Sequence, residues 1–380
     1  MKILFVDQTA ELGGAELSLL AEVTHMPHTC SVLLFEDGPF RELLAKANVP
    51  VEVIVAPASA MAVRRESGLL AIFGSLPSVI RLVRTVAARA RTWDVIYANS
   101  QKAFVIGSLA SALSGRPLVW RLRDVLDSSH FSPILRRIAV FLANWKSRRV
   151  IVNSLATGKV FAAVGGNAAK VSVAYPGIDE SPFTAVTPET VTKLRTEIAP
   201  GNAKLIGVFG RLSTWKGQAV FIDAIAQLPD AIGVIVGAAL FADHAYANEL
   251  QRKVDELGIA NRIRFLGFRN DIPALMRSMD IIVHSSISPE PFGRVVVEGM
   301  LSGNPVVASA AGGVLEIIDD GKTGWLVEPG DADALAQTLR SVLENKTRTA
   351  AIAEAGQSHA RATFTVIAMV KQVCDALELI

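Results

Sequence analysis

The chain carries almost no cysteine and almost no net charge. Only Cys30 and Cys374 occur in 380 residues, far apart and without metal-ligand spacing. That excludes a disulfide scaffold or a thiolate zinc cage and fits free thiols in a reducing cytoplasm. Lys and Arg number 38 against 36 Asp and Glu, a formal charge of +2, so no global field favours nucleic acid, and no aromatic-plus-basic RNA signature is present. No uncharged apolar run reaches the roughly 18 to 20 residues of a spanning helix. Met1-Lys2-Ile3-Leu4-Phe5-Val6-Asp7 meets an acid too soon for a secretory leader and reads as the first strand. The glycine loop that follows is not Gly-x-Gly-x-x-Gly, which weighs against a nicotinamide dehydrogenase. No serine has a Gly-x-Ser-x-Gly setting, so hydrolase chemistry is unsupported. His25 and His28 flank Pro27 with no third ligand in view, so no metal site is expected there.

What is present is an apolar chain, 51% hydrophobic, long enough for two domains. Apolar runs at 31–35, 51–55, 94–98, 117–122 and 149–153 alternate with helix-length segments, a pattern of parallel βαβ units. Ala174-Tyr175-Pro176-Gly177-Ile178-Asp179-Glu180-Ser181-Pro182 interrupts the rhythm and marks a linker. A second series starts at 204–210 and continues near 232–236, 262–266, 280–284 and 305–308. The fold class is therefore α/β, with two doubly wound sheets and a cleft expected at the carboxyl ends of their strands. The boundaries expected are 1–178, 179–361 and a tail, 362–380, that returns to the first domain, with Phe364, Val366 and Val370 on its docking face.

Chemistry concentrates in Ser288 to Met300, where Glu290 and Glu298 bracket a helix entry at Pro291-Phe292-Gly293. A helix start carries unpaired amides and partial positive charge, hence an anion site. With the helix beginning near Gly293, Glu298 lies roughly 7 to 8 Å along its axis. This suits a ligand with hydroxyls at both ends and an anionic centre, the shape of a nucleoside diphosphate sugar. In Gly210-Arg211-Leu212-Ser213-Thr214-Trp215-Lys216-Gly217, Arg211 and Lys216 occupy a loop at a strand's carboxyl end. Paired cations there would neutralise a departing diphosphate. Gly13-Gly14, following the first strand at a helix start, would let backbone approach a phosphate or sugar.

Together with Gly312-Gly313-Val314-Leu315-Glu316, these motifs make the second half resemble the donor domain of the GT-B retaining glycosyltransferases, specifically glycosyltransferase family 4. The resemblance implies a GT-B fold of two Rossmann-like domains, the first binding an acceptor and the second a nucleotide sugar. It implies transfer of the sugar, with retention and no obligatory metal or cofactor, to a hydroxyl of a glycan or lipid-linked acceptor. Arg211 and Lys216 would then serve the diphosphate, Glu290 the donor-sugar hydroxyls and Glu298 the ribose. The amides of Phe292, Gly293, Arg294 and Val295, with Gly13, Gly14 and Gly210, would complete the donor site. Over 1–178 the resemblance is thinner. Members commonly carry His-Asp where this chain has Arg123-Asp124. Either Arg123 takes the histidine's place as a binding and catalytic residue, or His130 swings in, or activity is altered. Asp124, His130 and Asn99 are expected on the acceptor side. A GT-B sugar-nucleotide epimerase and a catalytically weakened sugar-nucleotide-binding protein share these features and stay open.

Other segments have simpler readings. Asp331-Ala332-Asp333 resembles a metal motif but reads as a helix N-cap with an acidic first turn. His284 ends an apolar strand before Ser285-Ser286 and either lines the cleft or, the simpler reading, is a satisfied buried imidazole. Trp145-Lys146-Ser147-Arg148-Arg149 reads as a helix C-terminus, with a lipid head-group contact as the sharper alternative. The uncharged stretch 67–80, bounded by Arg64, Arg65 and Glu66 before it and Arg81, Arg84, Arg89 and Arg91 after it, suits a core helix or a peripheral contact with the cytoplasmic face of an anionic membrane.

Overall fold

A computed structural model describes residues 1–56, 76–126, 131–199, 201–239 and 244–380. The chain divides into two units, Met1–Gly177 with Val366–Ile380, and Ile178–Thr365. The first break falls inside the Pro- and Gly-rich linker. The second falls four residues beyond the expected 361/362, because the helix Lys346–Thr363 runs on.

The first unit is a seven-stranded sheet in the order β3-β2-β1-β4-β5-β6-β7, from β1 (Lys2–Asp7), β2 (Thr29–Leu34), β3 (Val51–Val53), β4 (Val95–Ala98), β5 (Leu118–Leu122), β6 (Ser147–Val152) and β7 (Val171–Val173). Every pairing is parallel. Both faces are covered, which is why β1 reads as a continuous apolar run rather than an alternation. Leu4 and Val6 join one cluster under the helices Leu76–Ala90, Gln101–Ser114 and Pro133–Lys146, and Ile3 and Phe5 join the other. That second cluster includes Val366, Met369, Val370 and Val373 of the helix Val366–Leu377, so the chain end returns to this unit. Phe364 does not travel with it. Its ring packs edge-on against Phe292 at 5.5 Å, inside the second unit. Trp145 to Arg149 meets expectation in part: a helix does end there, with Lys146 in its last turn, but Arg148 and Arg149 already lie in β6, whose start needs the extended backbone that pairs with β5. Residues 67–75 fall outside the described residues, and 76–80 open the helix Leu76–Ala90.

The second unit is a six-stranded parallel sheet, β10-β9-β8-β11-β12-β13, from β8 (Lys204–Phe209), β9 (Ala231–Val236), β10 (Ile263–Gly267), β11 (Ile281–His284), β12 (Val306–Ser309) and β13 (Trp325–Val327). In each sheet the winding reverses once, between β1 and β4 and between β8 and β11. The loops leaving such a pair part to opposite faces, opening a crevice at their carboxyl ends where ligands bind in open α/β sheets. The Gly13-Gly14 and Asn99 segments follow one reversing pair; Gly210–Gly217 and Ser285–Glu290 follow the other. Asp331 caps the helix Ala332–Glu344, accepting from Ala334 N at 2.8 Å, as its sequence setting predicts.

Candidate active site

In the second unit the loops after β8 and β11 are latched together through glycine. Gly217 sits at φ +67°, and a Cβ there would lie 1.9 Å from the Ser285 carbonyl oxygen. Only glycine combines that backbone with so close an approach. The latch is completed by Ile287 N donating to Trp215 O at 2.9 Å and Ser285 Oγ donating to Lys216 O at 3.0 Å. Lys216 is thereby held over the segment that carries Glu290.

Three donors converge on one oxygen. Glu290 Oε1 accepts from Lys216 Nζ at 2.5 Å, Ser286 Oγ at 2.6 Å and His284 Nε2 at 2.9 Å. The carboxylate side chain is 8% exposed and the lysine 18%. Burial works to raise the Glu290 pKa, but neighbouring His284 and Lys216 outweigh it and hold the group well below the ordinary carboxylate range. His284 is thus buried and a site residue, but only half satisfied: Nε2 is on Glu290 while the buried Nδ1 has no hydrogen-bond partner among the described residues.

Glu290 is fixed from the other side by Gly312 and Gly313. Gly312 takes φ +63°, and its added Cβ would lie 2.3 Å from Glu290 O; Gly313 N donates to that same oxygen at 2.9 Å. Gly293, at φ +110°, precedes the helix Arg294–Leu301, so the chain turns from Glu290 directly into a helix N-terminus at Phe292, Gly293, Arg294 and Val295. Glu298, one turn on, pairs with Arg294 at 3.3 Å and is 20% exposed. Gly210 closes the far end of the β8 loop at φ +131°. Arg211 is exposed, its carbonyl held by Gln218 Nε2 at 3.0 Å, and among the described residues its guanidinium has no hydrogen-bond or acidic partner. This unit therefore presents a free cation, a lysine on a buried carboxylate and a helix N-terminus around one switch point, an arrangement fitted to a diphosphate with hydroxyl-bearing groups at either end.

The first unit gathers a separate polar network. Gly13 precedes the helix Gly14–His25, whose first turn carries Glu16. Burial and then the negative charge of Asp7 push the Glu16 carboxyl up to about 7. Asp7, fully buried at the end of β1, accepts from Asn99 Nδ2 at 2.5 Å, and its own pKa is raised by burial against hydrogen bonds from Asn99, Ser100 and Gln8. Asn99 Oδ1 in turn accepts from Arg123 Nε at 2.8 Å, and Arg123 Nη1 donates to Ser18 Oγ at 3.0 Å. Glu22 lies 3.5 Å from Arg123 and 3.9 Å from the fully buried Arg121. Burial, then the like charge of Arg121, lowers the Arg123 pKa against Glu22. Arg123 and Asn99 are thus brought together and Arg123 is anchored within its own unit. Asp124 is half-buried just after β5, and His130 lies outside the described residues. Glu22, Arg121, Ser286 and Asp7 escaped sequence reasoning. The available signal for the first was Ser18 and Glu22, polar residues four apart among the buried Leu19 and Val23.

The family described as Glycosyl transferases group 1 matches residues 192–359, and Glycosyltransferase Family 4 matches 26–181. The structure resembles HepE from Anabaena, solved with UDP and with UDP-glucose, at 40% identity over 100% of both chains with a TM-score of 0.89. A D-inositol 3-phosphate glycosyltransferase of Corynebacterium urealyticum is 28% identical over 93% of this chain and 84% of that protein. Its counterpart from Mycolicibacterium smegmatis is 31% identical over 70% of this chain, which spans 63% of that protein. The chain belongs to the GT-B glycosyltransferases of family 4 and is a glycosyltransferase.

Proposed function

We propose that the chain moves a sugar from a uridine diphosphate sugar to a hydroxyl of a glycan or lipid-linked acceptor, with retention and without a metal. The observation that carries this reading is the convergence of Lys216, His284 and Ser286 on one oxygen of Glu290, beside a helix N-terminus. Occupation of Oε1 leaves Oε2 to accept from donor-sugar hydroxyls. A lysine ammonium has three donors, so one can stay on Glu290 while the others serve the diphosphate. Arg211 supplies the second cation, and together they stabilise the charge that grows as the phosphate leaves, the work a metal does in other transferases. The amides of 292–295 bind the diphosphate and Glu298 accepts from the ribose. The uridine donor is supported by the UDP and UDP-glucose complexes of HepE.

Arg123, held by Asn99 and Ser18, acts in this reading as a fixed cation of the first unit, with Asn99 and Asp124 on the acceptor side. The anomeric proton of the product, followed by NMR from an α-linked donor, tests the mechanism. An α-linked product formed in the presence of EDTA is expected. A β-linked product overturns retention, and isomerised free donor without acceptor assigns the chain to epimerisation.

A further inference from the structure

The helices Leu76–Ala90, Gln101–Ser114 and Pro133–Lys146 form the outer layer on one face of the first sheet. Their inner sides feed a common cluster through Val86, Phe104 and Ala143, among others, and each packs on the next. Their outer sides should be polar on a surface helix. On Pro133–Lys146 an apolar stripe interrupts that pattern beside Arg137 and Asn144. Ile134, Ile138, Phe141 and Trp145 are 44%, 37%, 66% and 51% exposed, and their spacing of four, three and four residues puts them on one face. The Phe141 and Trp145 rings stack at 6.2 Å, and Lys146 Nζ sits 4.6 Å from the Trp145 ring centre. On the neighbouring helix Leu109 and Leu113 are also exposed, at 36% and 55%. Exposed apolar residues scattered singly need no explanation, but an aromatic stripe of this kind marks a contact surface.

The charge on this layer says what it contacts. The three helices carry three, one and three Lys or Arg and not one Asp or Glu. Arg81, Arg84 and Arg137 are exposed, and among the described residues none of them has an acidic partner. A shallow groove on the first helix is lined by Pro77, Ile80, Arg81, Arg84 and Arg89. Two copies meeting through this face would set cation against cation, since a two-fold interface pairs a surface with itself. An anionic bilayer meets both demands: apolar and aromatic side chains enter the boundary between headgroups and acyl chains while Lys and Arg reach lipid phosphates.

We infer that the outer layer formed by these three helices is a docking surface for an anionic lipid bilayer, entered by Phe141 and Trp145 and held by Arg81, Arg84 and Arg137. Among the described residues no helix is long and apolar enough to cross a membrane, so the contact is peripheral. Its residues belong to the first unit, and Lys216, Glu290 and Glu298 to the second.

Flotation of the full chain with vesicles tests this, using phosphatidylcholine alone and phosphatidylcholine with about one third phosphatidylglycerol. Binding is expected to the anionic vesicles only and to weaken as salt shortens the screening length. The pair Phe141→Ala and Trp145→Ala should lower partitioning about tenfold or more, and Arg81→Ala with Arg84→Ala should abolish most of its salt dependence. All four side chains are exposed, so melting temperature and UDP affinity should match the wild type. Binding to neither vesicle, equal binding to both, or unchanged binding of the aromatic variant overturns the inference. So does a wild-type dimer in sedimentation that the aromatic variant abolishes, which would give the surface to a second copy. Loss of UDP binding by the wild type bears on the donor reading alone.

Discussion

Replacing Lys216 with methionine keeps most of its bulk and removes the charge. At 2.5 Å from Glu290, an effective dielectric near 20 gives a gross attraction of about 6 to 7 kcal/mol, most of which repays the desolvation of two buried ions. Breaking one partner of such a pair costs about 3 to 5 kcal/mol. His284 and Ser286 go on donating to Oε1, which softens the loss, while the stacking of Lys216 over Trp215 at 4.3 Å adds up to about 1 kcal/mol. We expect Lys216→Met to lose about 3 kcal/mol at neutral pH, read as a roughly 150-fold rise in hydrogen exchange at β11 and β12 amides. The pH dependence has a definite sign. Glu290's carboxyl titrates lower in the folded chain than in the unfolded one, so its stabilisation is complete above the ordinary carboxylate pKa of about 4.3. It is lost as pH falls towards the folded value. The gap between wild type and variant should therefore be full at neutral pH and narrow in acid. A loss below about 1 kcal/mol that ignores pH would mean a solvent-screened pair and would refute the reasoning.

Gly217→Ala should be more damaging than its size suggests: the Cβ meets Ser285 O at 1.9 Å in a left-handed backbone, so the latch must open, at about 3 kcal/mol or more by thermal melting. Gly13→Ala, whose Cβ meets only the movable Glu16 carboxylate, should cost under about 1 kcal/mol. Glu16, raised to about 7 by burial, gives stability that is full below the unfolded carboxylate pKa and lost as pH rises through the folded one. Glu16→Gln should thus flatten the fall in melting temperature between about pH 5 and pH 8 and leave the variant about 2 to 3 kcal/mol more stable than wild type at the upper end. An unchanged slope would contradict this. Arg211→Ala should leave stability within about 0.5 kcal/mol, since the side chain is exposed, yet lower kcat about 10- to 100-fold with little change in KM; equal loss in both would make Arg211 a ground-state binder.

Features set by local chemistry were readable in the sequence. The helix entry at Gly293 and the cap at Asp331 follow from residue types that act within a few positions of themselves. The three-residue strands β7 and β13 were missed, and the apolar run at 149–153 located β6 but not its polar start at Ser147 and Arg148. Glu290 and Lys216 were readable as separate candidates. Their bond was not, because it depends on Gly217 docking on Ser285, a contact between residues distant in sequence. Arg123 shows the same limit: the position is plain after β5, but Ser18, Glu22 and Asn99 reach it from elements that only the winding of the sheet brings together.

The central claim, that the segment from Glu290 to Glu298 builds the donor site, is tested most directly by calorimetric titration of the wild type and Glu298→Ala with UDP. The wild type should bind, and the variant should lose about tenfold to a hundredfold in affinity, the worth of hydrogen bonds to a charged acceptor. Equal affinity in the two, or no binding by the wild type, would contradict the account.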